Sequence, residues 1–87
     1  MNNDIENLKK KLVYRSQYRS TKEMDKLIGS FVRNNVNNFN LNQLIELEKF
    51  LTVDDSTLYK LYNNHIESLE GVNEKLIKLY KSHVYKS

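Results

Sequence analysis

Arg19, Ser20 and Glu23 are the residues whose types and spacing could do chemistry in this chain. Ser20-Thr-Lys-Glu23 has the form of a capping box, in which the Ser20 hydroxyl accepts from the Glu23 amide and the Glu23 carboxylate accepts from the Ser20 amide. A helix is therefore expected to begin there. Arg19, immediately before it, carries a rigid fork of N–H donors matched to a carboxylate or a backbone carbonyl. This trio can cap, bind and orient, but it holds no nucleophile beside a base. The other ingredients of catalysis do not assemble. His65 and His83 lie eighteen residues apart without HxxxH spacing, so no metal site is expected. With no cysteine there is no thiolate ligand, thiol nucleophile or disulfide. No serine is paired with a plausible His and acid, and Gly29 and Gly71 form no phosphate-cradling loop. Glu67 and Glu70 read as a solvated loop. The expectation is a protein that is not an enzyme.

The elements that must position these residues are helical. Eighty-seven residues make one small domain, 1–87, which at this size buries only about 60–65% of the surface of its unfolded chain. Asp4 is placed to cap a first helix with Ile5, Leu8 and Leu12 along one stripe. Lys11, Arg15 and Arg19 recur at i, i+4, so a helix reaching Arg19 would align three cations and set Arg19 at the corner before the next helix. Tyr14 and Tyr18, also four apart, would share a face. From Ser20 onward Met24, Leu27, Ile28, Phe31, Val32 and Val36 form the strongest amphipathic stripe in the chain. Gly29 within it would allow a close helix crossing.

An Asn-rich turn over 37–40 leads to a second capping signal, Asn40-Leu-Asn-Gln43, and a third helix. Leu41, Leu44, Ile45, Leu47, Phe50 and Leu51 surround that helix, so it is expected to be the most buried. Asp54 or Asp55, with Asp55 favoured, caps a short fourth helix that turns Leu58, Leu61 and Tyr62 inward and ends near Asn63-Asn64-His65. A loop through Gly71 precedes a fifth helix carrying Val72, Leu76, Ile77, Leu79, Tyr80, His83 and Val84. Nothing reads as a strand. The fold class is all-α, a small bundle of about five helices.

Fourteen Lys and Arg against eleven Asp and Glu give a net charge of +3, too small an excess to require nucleic acid. Its distribution is uneven, with seven basic and two acidic residues between Lys9 and Lys26. No apolar run approaches the roughly 20 residues of a membrane span, so membrane insertion is not expected. The N-terminus, with Asp4 and Glu6, resembles neither a signal peptide nor an acid-poor transit peptide.

The corner motif extends on both sides. Leu12-Val-Tyr-Arg-Ser-Gln-Tyr-Arg-Ser-Thr-Lys-Glu-Met-Asp25 followed by Leu27-Ile-Gly-Ser-Phe31 resembles the opening of the succinate dehydrogenase flavinylation (assembly) factor family, L-x-Y-R-S-x-x-R-G-x-x-E-x-D-x-L-x-x-x-F. Arg19 and Glu23 fill the R and E of its R-G-x-x-E signature, with Ser20 in place of Gly. Asp55-Ser-Thr-Leu-Tyr59 resembles the family's D-x-D-L-Y-x-W block at Asp55, Leu58 and Tyr59, with Thr57 for the second Asp and Leu61 for the Trp. The likeness runs over about residues 8–80.

What the resemblance implies is a dedicated chaperone. It would bind the FAD-loaded flavoprotein subunit of succinate dehydrogenase, with the fumarate reductase flavoprotein as a second client. It would hold that subunit while one of its histidines attacks the flavin 8α-methyl group. No cofactor would be bound stably by the chain itself; the FAD acted on belongs to the partner. Arg19, Ser20 and Glu23 would contact the partner, with Tyr14, Arg15 and Tyr18 beside them and Asp55 and Tyr59 as a second contact. Gly at position 20 would allow positive φ and close backbone approach, so Ser20 sets a question about the corner's backbone. The chain would act as a monomer in the cytoplasm of a bacterium, with the mitochondrial matrix second. The alternatives are a small basic helical nucleic-acid binder, suggested by Lys9-Lys10-Lys11 and the Tyr/Arg interleaving, or a generic interaction domain. Glu46 and Glu48 on the third helix weigh against the first of these.

Overall fold

In the computed structural model residues 3–85 are described, and they form five helices, the last two joined by the eleven-residue stretch 63–73 and the others by shorter connections. The stripe from Met24 to Val32 folds as its periodicity demands. Helix α2 (Lys22–Asn35) buries Met24, Leu27, Ile28, Phe31 and Val32, and a 3-10 turn over Val36–Asn38 continues it to bury Val36. Helix α1 (Asn3–Arg15) contributes the fully buried Leu12, with Ile5, Leu8 and Val13 packed half-buried against the same core. Asp4 lies in the first turn of α1 rather than before it, where it still favours the positive end of the helix dipole.

Helix α3 (Leu41–Leu51) starts at the expected capping box. The Asn40 side chain accepts from the Gln43 amide at 2.9 Å, and the Gln43 side chain accepts from the Asn40 amide at 2.8 Å. It buries Leu44, Leu47, Phe50 and Leu51 but leaves Leu41 and Ile45 exposed, so α2 rather than α3 is the most buried helix. Its apolar surround exceeds what five short helices can cover. Helix α4 (Asp55–Tyr62) turns Leu58 and Leu61 inward, and α5 (Glu74–Ser82) buries Leu76, Ile77 and Tyr80. Asn73 caps α5 through the Lys75 and Leu76 amides, which leaves Val72 before the helix and His83 and Val84 beyond it, while Leu79 stands exposed on its outer side.

Aromatic rings join the helices at the centre. Phe31, Phe50 and Tyr80 form a mutual cluster from α2, α3 and α5, with ring centroids 4.9–5.7 Å apart and tilted or edge-on geometry. The Tyr80 hydroxyl donates to the Leu58 carbonyl at 2.8 Å, which ties α5 to α4 and satisfies the one polar atom of that ring. Burial raises the Tyr80 phenol above its ordinary pKa. At the end of α5, His83 Nε2 lies 2.8 Å from the Ser30 hydroxyl, and its ring stands edge-on to Phe31. Burial lowers the His83 pKa from the usual 6.5.

A Cβ built at Gly29 would meet first the guanidinium of Arg33, at 2.9 Å, the mobile end of a side chain one turn along the same helix. Gly29→Ala is therefore expected to stabilise the domain by about 0.5–1 kcal/mol once Arg33 swings aside, as read by urea unfolding. A loss would mean that another element needs that space.

His83 gives a pH dependence of definite sign. The folded state disfavours the imidazolium, so below pH 6.5 the unfolded chain binds more protons. Stability should be flat just above 6.5 and fall as the pH drops toward the lower folded value. His83→Gln should show a shallower loss between pH 7 and 5 than the wild type; equal slopes would remove His83 from the account.

Candidate functional site

The connection between α1 and α2 is built from the end of one helix and the dipolar start of the next. Helix α1 stops at Arg15. Ser16 is fully buried; its amide donates to the Leu12 carbonyl at 3.0 Å and its hydroxyl to the Val13 carbonyl at 2.6 Å, so its polar groups are satisfied locally. Tyr18 adopts φ 60°, the left-handed conformation that commonly reverses a chain after a helix. For a residue with a Cβ this costs roughly 1 kcal/mol. The cationic stripe expected on a helix reaching Arg19 therefore breaks. Lys11 and Arg15 remain on α1 and share the Glu48 carboxylate, at 3.1 and 3.2 Å, while Arg19 points elsewhere.

Arg19 is held at both ends. Its amide donates to the Asp25 carboxylate in the first turn of α2. Its guanidinium donates to Asp55 Oδ1 at 3.1 Å, with the Leu51 carbonyl at 3.5 Å. The side chains of this ion pair are only 11% and 15% exposed, so most of the water that would screen them is gone. The Arg19 Nε–H is buried with no hydrogen-bond partner among the described residues. The second Asp55 oxygen accepts from the Ser20 amide at 2.7 Å. One carboxylate thus receives both a side chain and a backbone group from a corner 35 residues away.

Both caps expected at this site sit one residue from their expected positions, and the two shifts share a reason. Thr21, not Ser20, caps α2, its hydroxyl accepting from the Met24 amide at 3.1 Å. Asp54, not Asp55, caps α4 through the Thr57 amide and hydroxyl, bonds that also lower the Asp54 pKa. Two neighbouring residues could have served in each case. The pairing of Ser20 and Asp55 with each other decides which does. No Ser20–Glu23 box forms, so the Glu23 carboxylate is left exposed. Position 20 has no positive φ; that conformation falls at Tyr18, and the Ser for Gly exchange meets an ordinary backbone.

The result is an open groove between the corner and α4, lined by Ser20, Thr21, Glu23, Met24, Asp55 and Tyr59 among others. It brings the two sequence blocks onto one surface. Tyr59 is half exposed on its rim. Tyr14 and Tyr18 stand away from the core at 68% and 81% exposure, their rings edge-to-face at 6.3 Å, rather than packed on α2. Among the described residues no three His, Asp or Glu side chains gather as a metal set.

A family model described as flavinator of succinate dehydrogenase matches residues 10–84. The chain belongs to this family. A curated relative, the succinate dehydrogenase assembly factor 2, mitochondrial, of Dictyostelium discoideum, is 31% identical over 80 residues, covering 92% of this chain. The chain spans 57% of that relative's length. No solved structure matches. The relative's name places it in mitochondria, so it lends nothing to ranking a bacterial cytoplasm above the mitochondrial matrix. No helix among the described residues is long and apolar enough to cross a membrane.

Within the flavinator family pattern, Asp25 is the residue whose role the sequence analysis missed. The signal was present, since Asp25 follows Glu23 by two positions in the pattern itself. It fixes the Arg19 backbone. Glu48, which in the sequence reads only as a repulsive charge, holds Lys11 and Arg15.

Removing either member of this largely buried pair strands the other. Arg19→Ala and Asp55→Ala are each expected to cost about 2–4 kcal/mol in urea unfolding, with the double variant costing about as much as one of them. Fully additive losses would show that the two side chains do not depend on each other.

Proposed function

We propose that this chain is an assembly factor that binds the flavoprotein subunit of succinate dehydrogenase and promotes covalent attachment of the FAD that the subunit carries. The observation that supports this reading most directly is the closure of the two family blocks on one another. The Arg19–Asp55 pair and the Ser20–Asp55 bond make Ser20, Glu23, Asp55 and Tyr59 a single preorganised surface. The chemistry would belong to the partner, which would supply both the FAD and the side chain that becomes joined to it. The factor would act through geometry, and holding reacting groups in place can supply several kcal/mol, of order 7–11 at best.

The residues divide into two kinds on this reading. Arg19, Ser16 and Asp25 shape the corner from within, and Asp55 has both oxygens committed to its own chain. Glu23 and Tyr59 remain available: a carboxylate in the first turn of α2 and an amphipathic ring across the groove from it. A partner N–H donor fits the first and a flat apolar group the second. An interface of ordinary size takes about 800 Å2 from each partner. The whole domain exposes 5922 Å2, so one face suffices.

In-gel flavin fluorescence of the denatured flavoprotein subunit, expressed with and without this protein, tests the reading. Covalent flavin should rise with the wild type and fall several-fold with Glu23→Ala and with Tyr59→Ala, both exposed positions whose variants should stay folded. Arg19→Ala should also lower it, but there a circular-dichroism melt must separate lost contact from lost fold. Equal covalent flavin in every lane, with no copurification of the two proteins, would refute the proposal.

A further inference from the structure

We infer that a second surface, centred on the Tyr14–Tyr18 pair and the basic groove beside it, docks an acidic, extended segment of the partner protein. This inference rests on the assembly-factor reading for the partner's identity, and it adds a contact outside the groove of Glu23 and Tyr59. Three observations carry it. The first is the aromatic pair itself. Tyr14 and Tyr18 are the most exposed rings in the described chain, and they touch each other rather than the core. Tyrosines standing free of the core are the anchors that interfaces favour.

The second is backbone strain. Tyr18 has φ 60°, and the other residue with a side chain in that conformation is Asn64, a type that tolerates it. The Tyr18 conformation is enforced on both sides, by the Gln17 amide on the Tyr14 carbonyl and by the Arg19 amide on Asp25. Folding alone would be served better at position 18 by Gly or Asn, and a large exposed ring there gains nothing from the core.

The third is charge. The groove beside Tyr14 is lined by Lys9, Lys10 and Arg33 with Glu6 as its one carboxylate, an excess of two positive charges. Lys9 is paired with Glu6 at 3.2 Å, but Lys10 and Arg33 have no carboxylate within 4.0 Å among the described residues. Elsewhere on α1 Lys11 and Arg15 each reach a carboxylate, sharing Glu48. Two unpaired cations beside an exposed aromatic pair complement a segment that carries Asp or Glu next to an apolar side chain. Such an arrangement steers encounter and fixes register more than it adds affinity.

The test is titration of the full-length wild type and variants into the FAD-loaded flavoprotein subunit at 50 and 300 mM salt. Tyr18→Asn should weaken binding about tenfold while its melting temperature stays the same or rises, opposite directions that a purely structural tyrosine could not give. Lys10→Gln with Arg33→Gln should weaken binding at low salt and flatten its salt dependence. If Glu23→Ala weakens binding but neither of these variants does, the second surface is refuted and the assembly-factor reading stands. If the wild type does not bind the subunit at all, that reading falls and this inference with it. If instead the same variants lose binding to a single-stranded oligothymidylate and keep the subunit, the face is a nucleic-acid site and the inference is overturned.

Discussion

The Asp55 carboxylate is the constraint on which the rest of the site depends. Its two oxygens take one guanidinium and one backbone amide from the α1–α2 corner, so a single side chain fixes both the position and the orientation of that corner relative to α4. A charge this poorly hydrated is tolerated only because both its acceptor sites are filled. The consequence is a coupled unit. Asp25 holds the Arg19 amide, Asp55 holds the guanidinium, and the strained Tyr18 is kept in place by the residues on either side of it.

That coupling explains why recognition residues lie next to residues that serve the fold. In a chain of 87 residues the core is small, and total stability is of order 5 kcal/mol. A partly buried ion pair near the surface of such a domain ties together elements that a larger protein would leave to its core. The exposed members of the motif, Glu23 and Tyr59, sit on a rigid base as a result. Their rotamers still have freedom to lose, but the backbone beneath them does not, and this lowers the entropy that a partner must overcome on binding.

The helices were legible in the sequence because periodicity is a local property. Met24, Leu27, Ile28, Phe31 and Val32 could face the core only from a helix, and Asn40 with Gln43 marked the start of α3 without ambiguity. The exact caps at the functional corner were not legible. Ser20 and Thr21 are equivalent candidates in sequence, as are Asp54 and Asp55, and the choice between them is made by a contact across 35 residues. The same holds for Tyr18, since no local signal places a tyrosine rather than a glycine at positive φ. Lys11, Arg15 and Arg19 looked like one stripe and are two separate ion-pair systems, Glu48 holding the first two and Asp55 the third.

The off-by-one errors carry a physical lesson about how a recognition site is placed in a small helical domain. A polar residue at a helix start satisfies the orphan amides of the first turn, and a neighbour of the same kind is then spare. At α2 and at α4 the inner use goes to Thr21 and Asp54, and the spare residues, Ser20 and Asp55, meet each other. Were Ser20 the cap, Glu23 would be drawn back onto the Ser20 amide, and that amide would be lost to Asp55. The exposed Glu23 carboxylate and the joined groove are therefore alternatives to the capping box that the local sequence offers. The long-range pair selects between them, and the surface that results presents Glu23 outward.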